Sequence, residues 1–311
     1  MTADEVAAQL FSGLHASFGE HPGRRAAHAK GVLCSGTFTA GAEAAGLSTA
    51  PHFRGGTHPV HVRFSNGSGN PNNPDAARDG RGMAVKIRLP DGATTDIVTL
   101  SLPVFFVRTP EELVEFNVAR RPDPATGAPD VEKVGAFLAA HPETVPAVTA
   151  AMTAPVPASY AQVTYHAIHT FGFVAGRGDS AGPTRFGRYH FVPAAGEAGL
   201  TDDEAAARGP DVLRVELDAR FAAGPARFSV ELELAAADDP VEDPTALWPD
   251  GRERVTLGEL SLTALAFDRE HDGDILVFDP TRITDGITLT DDKILLARPA
   301  VYSLSVAERT A

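Results

Sequence analysis

Apolar side chains recur at helical spacing near the start of the chain. Val6, Leu10, Leu14 and Phe18 share one face, and Gly19 and Pro22 close the segment. This predicts an amphipathic helix over about residues 3–18. Strand patterns follow at 31–39 (GVLCSGTFT), 59–65 (PVHVRFS), 83–89 (MAVKIRL) and 94–107 (TTDIVTLSLPVFFV). Residues 66–82 form a polar loop dense in Gly, Asn and Pro, either mobile or pinned against a ligand. Pro110 opens a short helix, EELVEFNVARR, and a further helix is predicted over 130–144. Two short strand patterns, VTYHAIHTFGFV and TRFGRYHFV, are joined by a Gly-rich turn. VLRVELDARFA and ARFSVELELAAA alternate in period two and predict two more strands. After an acidic stretch at 238–244 comes another strand candidate, TLGELSLTALAF. The tail predicts a helix over about 295–306, interrupted or preceded by Pro299.

Many strands with hairpin-like turns, and helices at both ends and in the middle, predict an α+β fold. Its antiparallel sheet is closed or strongly coiled. No strand–helix alternation supports a doubly wound sheet, and no repeat or low-complexity linker divides residues 1–311. One domain is the simplest organisation, and 311 residues suffice to bury its core. The formal net charge of -14 repels phosphate backbones and anionic bilayers, so neither nucleic acid nor membrane is an expected partner. A single cysteine, Cys34, forbids an intramolecular disulfide and a thiolate metal cluster. With no signal-peptide pattern and no apolar run near 18 residues, this suits a cytoplasmic protein. The eleven histidines form no HExxH motif and no tight cluster along the sequence.

A few residues carry chemical potential. His28 lies in RRAAHAKG; a lone histidine is most often structural, and Arg-x-x-His spacing is common by chance. Arg63 and Ser65 share one face of their strand. A buried arginine there needs an anionic partner, whereas a solvated edge arginine is the bland alternative. Tyr302 follows Arg298 by four residues, so a helix brings guanidinium and phenol together. A guanidinium beside a phenol favours its anion, an oxygen donor suited to ferric iron, and tyrosinate is a known haem ligand. A surface hydrogen-bonded or cation–π pair is the commoner meaning of the same spacing.

Taken together, the motifs say more. RRAAHAKGVLCSGTF, PVHVRFSNGSG, ARDGRGMAVKI and DIVTLSLPVFFVR resemble successive core segments of catalases, in order and at similar separations. YHAIHTFGFV with TRFGRYHF, and then FDPTRITDGITLTDDKILLARPAVYSLS, resemble later ones. The likeness runs from about residue 20 to the C-terminus. It is especially close to the short catalase-related peroxidases, which lack the long N-terminal arm and C-terminal domains of full catalases. The resemblance implies the antiparallel β-barrel of the catalase core and haem b as cofactor.

Carried over by motif, His28 resembles the distal histidine that shuttles a proton between the peroxide oxygens, with Ser65 fixing its tautomer. Tyr302 resembles the axial iron ligand, Arg298 the arginine that keeps it anionic, and His169 and Asp292 the residues behind that arginine. Arg25, Arg63 and Arg309 resemble the arginines on the haem propionates. Val104, Phe105 and Phe106 lie where the family presents apolar residues near the haem. Two positions depart from full catalases. Leu100 stands where they carry a distal asparagine, and Leu113 falls near their distal phenylalanine. Leucine cannot hold a second hydrogen peroxide by hydrogen bonding, a loss of about 1–3 kcal/mol.

These departures imply a haem peroxidase for organic hydroperoxides or hydrogen peroxide, with a small organic electron donor. Catalase dismutation and hydroperoxide isomerase or lyase chemistry are the alternatives, and a haem-binding protein without turnover is a third. Without the arms that entwine catalase tetramers, a smaller homo-oligomer is implied. No nucleotide fingerprint is present, so no stable NADPH site is expected.

Overall fold

The computed structural model describes residues 2–123, 125–176, 182–267 and 275–310. Its strands are β1 (Gly31–Ala40), β2 (Thr57–Asn66), β3 (Arg81–Arg88), β4 (Thr94–Leu100), β5 (Val156–Pro157), β6 (Tyr165–His166), β7 (Phe171–Phe173), β8 (Arg185–Pro193), β9 (Gly199–Leu200), β10 (Ala226–Leu234), β11 (Arg254–Ala266) and β12 (Ile287–Leu289). The helices are α1 (Ala3–Phe18), α2 (Ala44–Leu47), α3 (Pro110–Ala119), α4 (Val131–Ala140), α5 (Val145–Thr153), α6 (Asp202–Ala206), α7 (Val212–Ala223) and α8 (Lys293–Thr310).

Eight strands close on themselves in the order β1–β2–β3–β4–β6–β8–β10–β11, every pairing antiparallel. Eight strands leave an interior that side chains can just fill. Period-two alternation supplies them. Val60, Val62 and Phe64 of β2 stand opposite Ile87, Val85 and Met83 of β3, and all six are buried. The residues between them face outward: Arg63 opposite Ala84, Ser65 opposite Gly82, and then Leu100 of β4 opposite Gly82. This outer wall carries the candidate site.

Helices gather outside the barrel, where α1 packs against α3 and α8. The start of α1 is fixed by a reciprocal Thr2–Glu5 cap, and that of α3 by Thr109–Glu112 with Pro110 in the first turn. Between β12 and α8, Asp292 turns the chain. Its Oδ1 accepts from the backbone N–H groups of Ile294 and Leu295, satisfying donors at the start of α8. Among the described residues, no helix is long and apolar enough to cross a membrane.

The α+β barrel and the 3–18 helix appear as the sequence predicts, with three local corrections. First, VLRVELDARFA is helix α7, not a strand. Leu213 and Leu217 are buried and Phe221 packs against the core, at the four-residue repeat of a helix face, while Val215 is left exposed. Second, the strand predicted over 94–107 ends at Leu100, because the next residues turn away towards Pro103 and the second core cluster. Third, α8 begins before Pro299 and runs through it, neither interrupted nor preceded by it. The Asp292 cap before it and the packing on α1 after it outweigh the missing N–H. The Gly-rich turn between β7 and β8 falls largely outside the described residues.

The polar loop 66–82 is pinned, and by the protein's own groups. Arg81, buried, donates to the carbonyls of Asp75, Ala77 and Asp79. Asp75 in turn accepts from the Asn66 amide and from the Leu213 N–H, and Tyr160 donates to Asn66. Buried hydrogen bonds of this kind tie the loop to the barrel and to α7.

Candidate active site

A cavity of about 810 Å³, mouth included, opens between the outer wall of β2–β4 and α8. It gathers His28, Ser65, Leu100, Arg25, Arg63, Arg298, Tyr302 and Arg309 from motifs far apart in sequence. The barrel side is flat, because Gly82 and Ala84 put almost nothing outward. Glycine at 82 is required: a Cβ there would lie 2.8 Å from Ser65 Oγ and 2.9 Å from His28 Nδ1.

His28 sits in a loop stitched to residues 66–68. Its N–H bonds the Gly67 carbonyl and the Ala29 N–H bonds that of Ser68, while Arg63 Nη1 donates to the His28 carbonyl. These contacts hold a left-handed backbone, φ 56°, at the one non-glycine position with positive φ among the described residues. Such strain persists only where the surroundings over-determine it. The ring is fixed too, with Nδ1 3.0 Å from Ser65 Oγ. Nε2 has no hydrogen-bond partner among the described residues, and the ring lines the cavity. Burial, then the charges of Arg63, Arg298 and Arg25, push His28 from the usual 6.5 down to about 3. The imidazole is therefore neutral at ordinary pH and available to accept a proton.

On α8, Arg298, Tyr302, Ser305 and Arg309 are spaced four, three and four residues apart, one face of a helix, and all four line the cavity. Arg298 donates to the Tyr302 oxygen from Nε (2.9 Å) and Nη2 (2.6 Å). Its Nη1 lies 2.9 Å from His169 Nε2, and His169 Nδ1 lies 2.6 Å from Asp292 Oδ2. Since the guanidinium can only donate, Nε2 of His169 accepts and Nδ1 gives its proton to Asp292. Burial pushes His169 below its usual range, in keeping with that neutral tautomer. One carboxylate thus starts the helix with one oxygen and orients the Tyr302 oxygen, through His169 and Arg298, with the other.

Six of the expected residues do not line the cavity: His169 and Asp292 stand behind Arg298, and the other four lie elsewhere. Val104 is fully buried, and Phe105, Phe106 and Leu113 pack on a second cluster around Val107, Phe116 and Phe137. Pro103 and the end of β4 carry this segment off the barrel wall towards α3. The wall instead includes residues the motifs did not single out: Leu14, Val98, Val301, Ser305 and Phe278. The Phe278 ring is held over the Lys86 ammonium, itself paired with Asp96 at 2.6 Å in a buried site. Of these, Ser305 was legible in the spacing along α8. Away from the cavity, Glu112, His141 and Glu143 draw together with ligand-like proximity, a grouping their sequence spacing hides. Arg108 pairs with Glu143 at 2.7 Å and Glu112 caps α3, so the cluster is already used as a polar knot.

Several buried histidines share the lowered proton affinity of His28. Burial holds His52 and His166 at about 3 as well, helped by His58 and by His190 respectively. Neither ring nitrogen of His52 has a hydrogen-bond partner among the described residues. The unfolded chain takes up these protons near pH 6.5 and the native state only near pH 3. Stability is therefore full above about pH 6.5 and falls as pH drops towards 3, by up to about 1.4 kcal/mol per pH unit per histidine. Denaturant titrations at pH 7.0, 5.5 and 4.5 should show this decline. His52→Phe, which removes one such proton, should make it shallower; an identical slope would show that His52 is not among the groups responsible.

Residues 14–311 match the family described as Catalase. A catalase-related peroxidase of Mycolicibacterium paratuberculosis is 43% identical, covering 97% of this chain and 94% of its own length. One of Synechococcus elongatus is 36% identical, covering 97% and 88%. Among solved structures, a bacterial catalase superposes with a TM-score of 0.80 at 25% identity, over 93% of this chain and 58% of that one. Catalase A of Saccharomyces cerevisiae shares the fold at a TM-score of 0.81 and 24% identity, over 93% and 62%. The chain spans about three fifths of each of those two catalases and nearly the full length of the two shorter relatives. With the barrel, the His28–Ser65 pair and the Asp292–His169–Arg298–Tyr302 series in place, a family match this long leads to one conclusion: the chain belongs to the catalase family.

Proposed function

We propose that this chain is a single-domain haem peroxidase that reduces organic hydroperoxides or hydrogen peroxide with a small organic electron donor. The observation that carries the reading is one cavity shared by a neutral imidazole, held at Nδ1 by Ser65 with Nε2 left without a partner among the described residues, and a phenol oxygen gripped by a guanidinium. Two relatives matched along nearly their full length are named catalase-related peroxidases, which supports the same reading.

The residues fit haem b. The flat wall at Gly82 and Ala84 suits a planar macrocycle, and Leu14, Val98, Val301 and Phe278 suit its apolar body. Arg25, Arg63 and Arg309 suit its two carboxylates, and the Tyr302 oxygen suits ferric iron. When bound, haem supplies the redox chemistry that opens the oxygen–oxygen bond.

The protein's part is proton handling and orientation. His28 Nε2 takes the proton from one peroxide oxygen and returns it to the leaving oxygen. Ser65 Oγ accepts from Nδ1–H, which leaves Nε2 as the basic nitrogen. His169 and Asp292 fix Arg298, and Arg298 keeps the Tyr302 oxygen aimed as a donor. Leu100, on the same wall, offers a peroxide no hydrogen bond, which favours an alkyl hydroperoxide and an external donor over a second hydrogen peroxide. The balanced reaction is ROOH + 2 AH → ROH + H2O + 2 A•. We place this activity in the cytoplasm, in an assembly smaller than the catalase tetramer.

Dioxygen released per hydrogen peroxide consumed, with and without a one-electron donor, is the test. Little dioxygen and donor-dependent peroxide loss are expected. A ratio near one to two that a donor barely changes would make the protein a catalase and remove the weight placed on Leu100.

A further inference from the structure

Arg63 lines two spaces. One is the cavity just described. The other is a solvent-open groove on its far side, of about 1810 Å³ including the solvent it opens to, bordered by the 21–31 loop, α7 and the end of β11. The guanidinium itself, with Nη1 on the His28 carbonyl and Nη2 on that of Ala29, belongs to the partition between them.

The groove's chemistry is unlike that of the protein at large. The chain carries a net charge of -14, yet among the described lining residues Arg24, Arg63, Arg214 and Lys30 meet here with a single carboxylate, Asp211. That carboxylate is committed: Lys30 lies 3.0 Å from Asp211 and 3.0 Å from Asp75, so lysine and aspartates satisfy one another. Arg24 and Arg214 are exposed, and among the described residues their guanidinium groups make no hydrogen bond or ion pair. Beside them Phe267 is 78% exposed, an unusual position for a phenylalanine, and Pro22 and Pro71 add flat apolar surface. Two uncommitted guanidiniums ask for a carboxylate or phenolate, and guanidinium planes, a phenyl ring and proline rings accept an aromatic face.

We infer that this groove binds the reducing substrate, an aromatic molecule bearing an anionic group such as a hydroxybenzoate. The inference rests on the peroxidase reading and deepens it by naming the donor's class and place. A donor seated here reaches the enclosed cavity across Arg63 and never enters the peroxide's space. Each of two donors gives up one electron and one proton, becoming an aryloxyl radical, in the balanced reaction given above. Peroxide and donor then occupy separate sites, so an excess of one does not competitively inhibit the other.

The test is a calorimetric titration of the full haem-loaded chain with 4-hydroxybenzoate, repeated on the Arg24→Ala, Arg214→Ala double variant. Both positions are exposed, so the fold should be kept. The wild-type protein should bind the anion, neutral 4-hydroxybenzamide should bind at least tenfold more weakly, and the double variant should lose at least tenfold in affinity. In turnover, the donor KM should rise by the same factor while the peroxide KM stays constant. Equal affinity in the variant would overturn the inference, and so would displacement by inorganic phosphate at equal concentration, which would mean that no ring is recognised. The titration needs no turnover. Binding with the expected losses, but without donor oxidation, would uphold the groove's ligand class and sink the peroxidase reading alone.

Discussion

His28→Asn lowers kcat/KM for peroxide by about 10²–10⁴-fold, the usual worth of a positioned acid–base group. Asparagine is the replacement of choice because it tolerates the left-handed backbone that His28 adopts, so the 66–68 stitching survives. Its amide cannot take a proton near neutrality, and that is the property removed. Haem content and the ferric spectrum should stay close to wild type, because no iron ligand is touched. The decisive reading is the rate at which peroxide perturbs the haem spectrum in a stopped-flow instrument, before any donor is added. An unchanged rate would mean that His28 does not carry the proton and that another group or solvent does.

Tyr302→Phe has the second large effect. It deletes the oxygen that receives two Arg298 hydrogen bonds and leaves those N–H groups aimed at an empty position. Haem recovered with the protein should fall to a small fraction of stoichiometric, and what remains should show a shifted Soret band. Asp292→Asn is the graded companion. It keeps an oxygen for the helix cap but loses the charge that holds His169, so haem affinity should fall by about 10–100-fold, the range for an outer partner of a ligand. Stoichiometric haem with an unaltered spectrum in Tyr302→Phe would remove Tyr302 as the iron ligand.

The residues central to these experiments were legible in the sequence because each sits in a motif whose order along the chain is informative. His28 and Ser65 lie 37 positions apart, and nothing local says they touch; the resemblance did, and the 3.0 Å contact agrees with it. Arg298 and Tyr302 could be paired from helical spacing alone, and Ser305 and Arg309 extend the same stripe. Less was legible where two periods coincide. In α7, residues 213, 217 and 221 satisfy both a four-residue and a two-residue repeat, and only burial decides between them. Val104, Phe105 and Phe106 follow a strand without a break in hydrophobicity, so the departure of the chain after Leu100 left little trace beyond Pro103. The polar loop 66–82 gave no hint that Arg81 would end up almost wholly buried and tied to its own neighbours' carbonyls. Composition reports what a residue prefers on average, and an arginine buried against its neighbours' carbonyls is the exception to that average.

Asp292 gives the α8 end of the molecule a further property. Because one carboxylate both begins the helix and orients the ligand series, the two cannot be assembled independently. While α8 is undocked, the Tyr302 oxygen has neither its place nor the guanidinium grip of Arg298. The chain therefore checks its own completion: on the proposed assignment, an iron would find its anchor only after the last helix has joined the barrel, and a loosened helix start is felt ten residues later, at the Tyr302 oxygen.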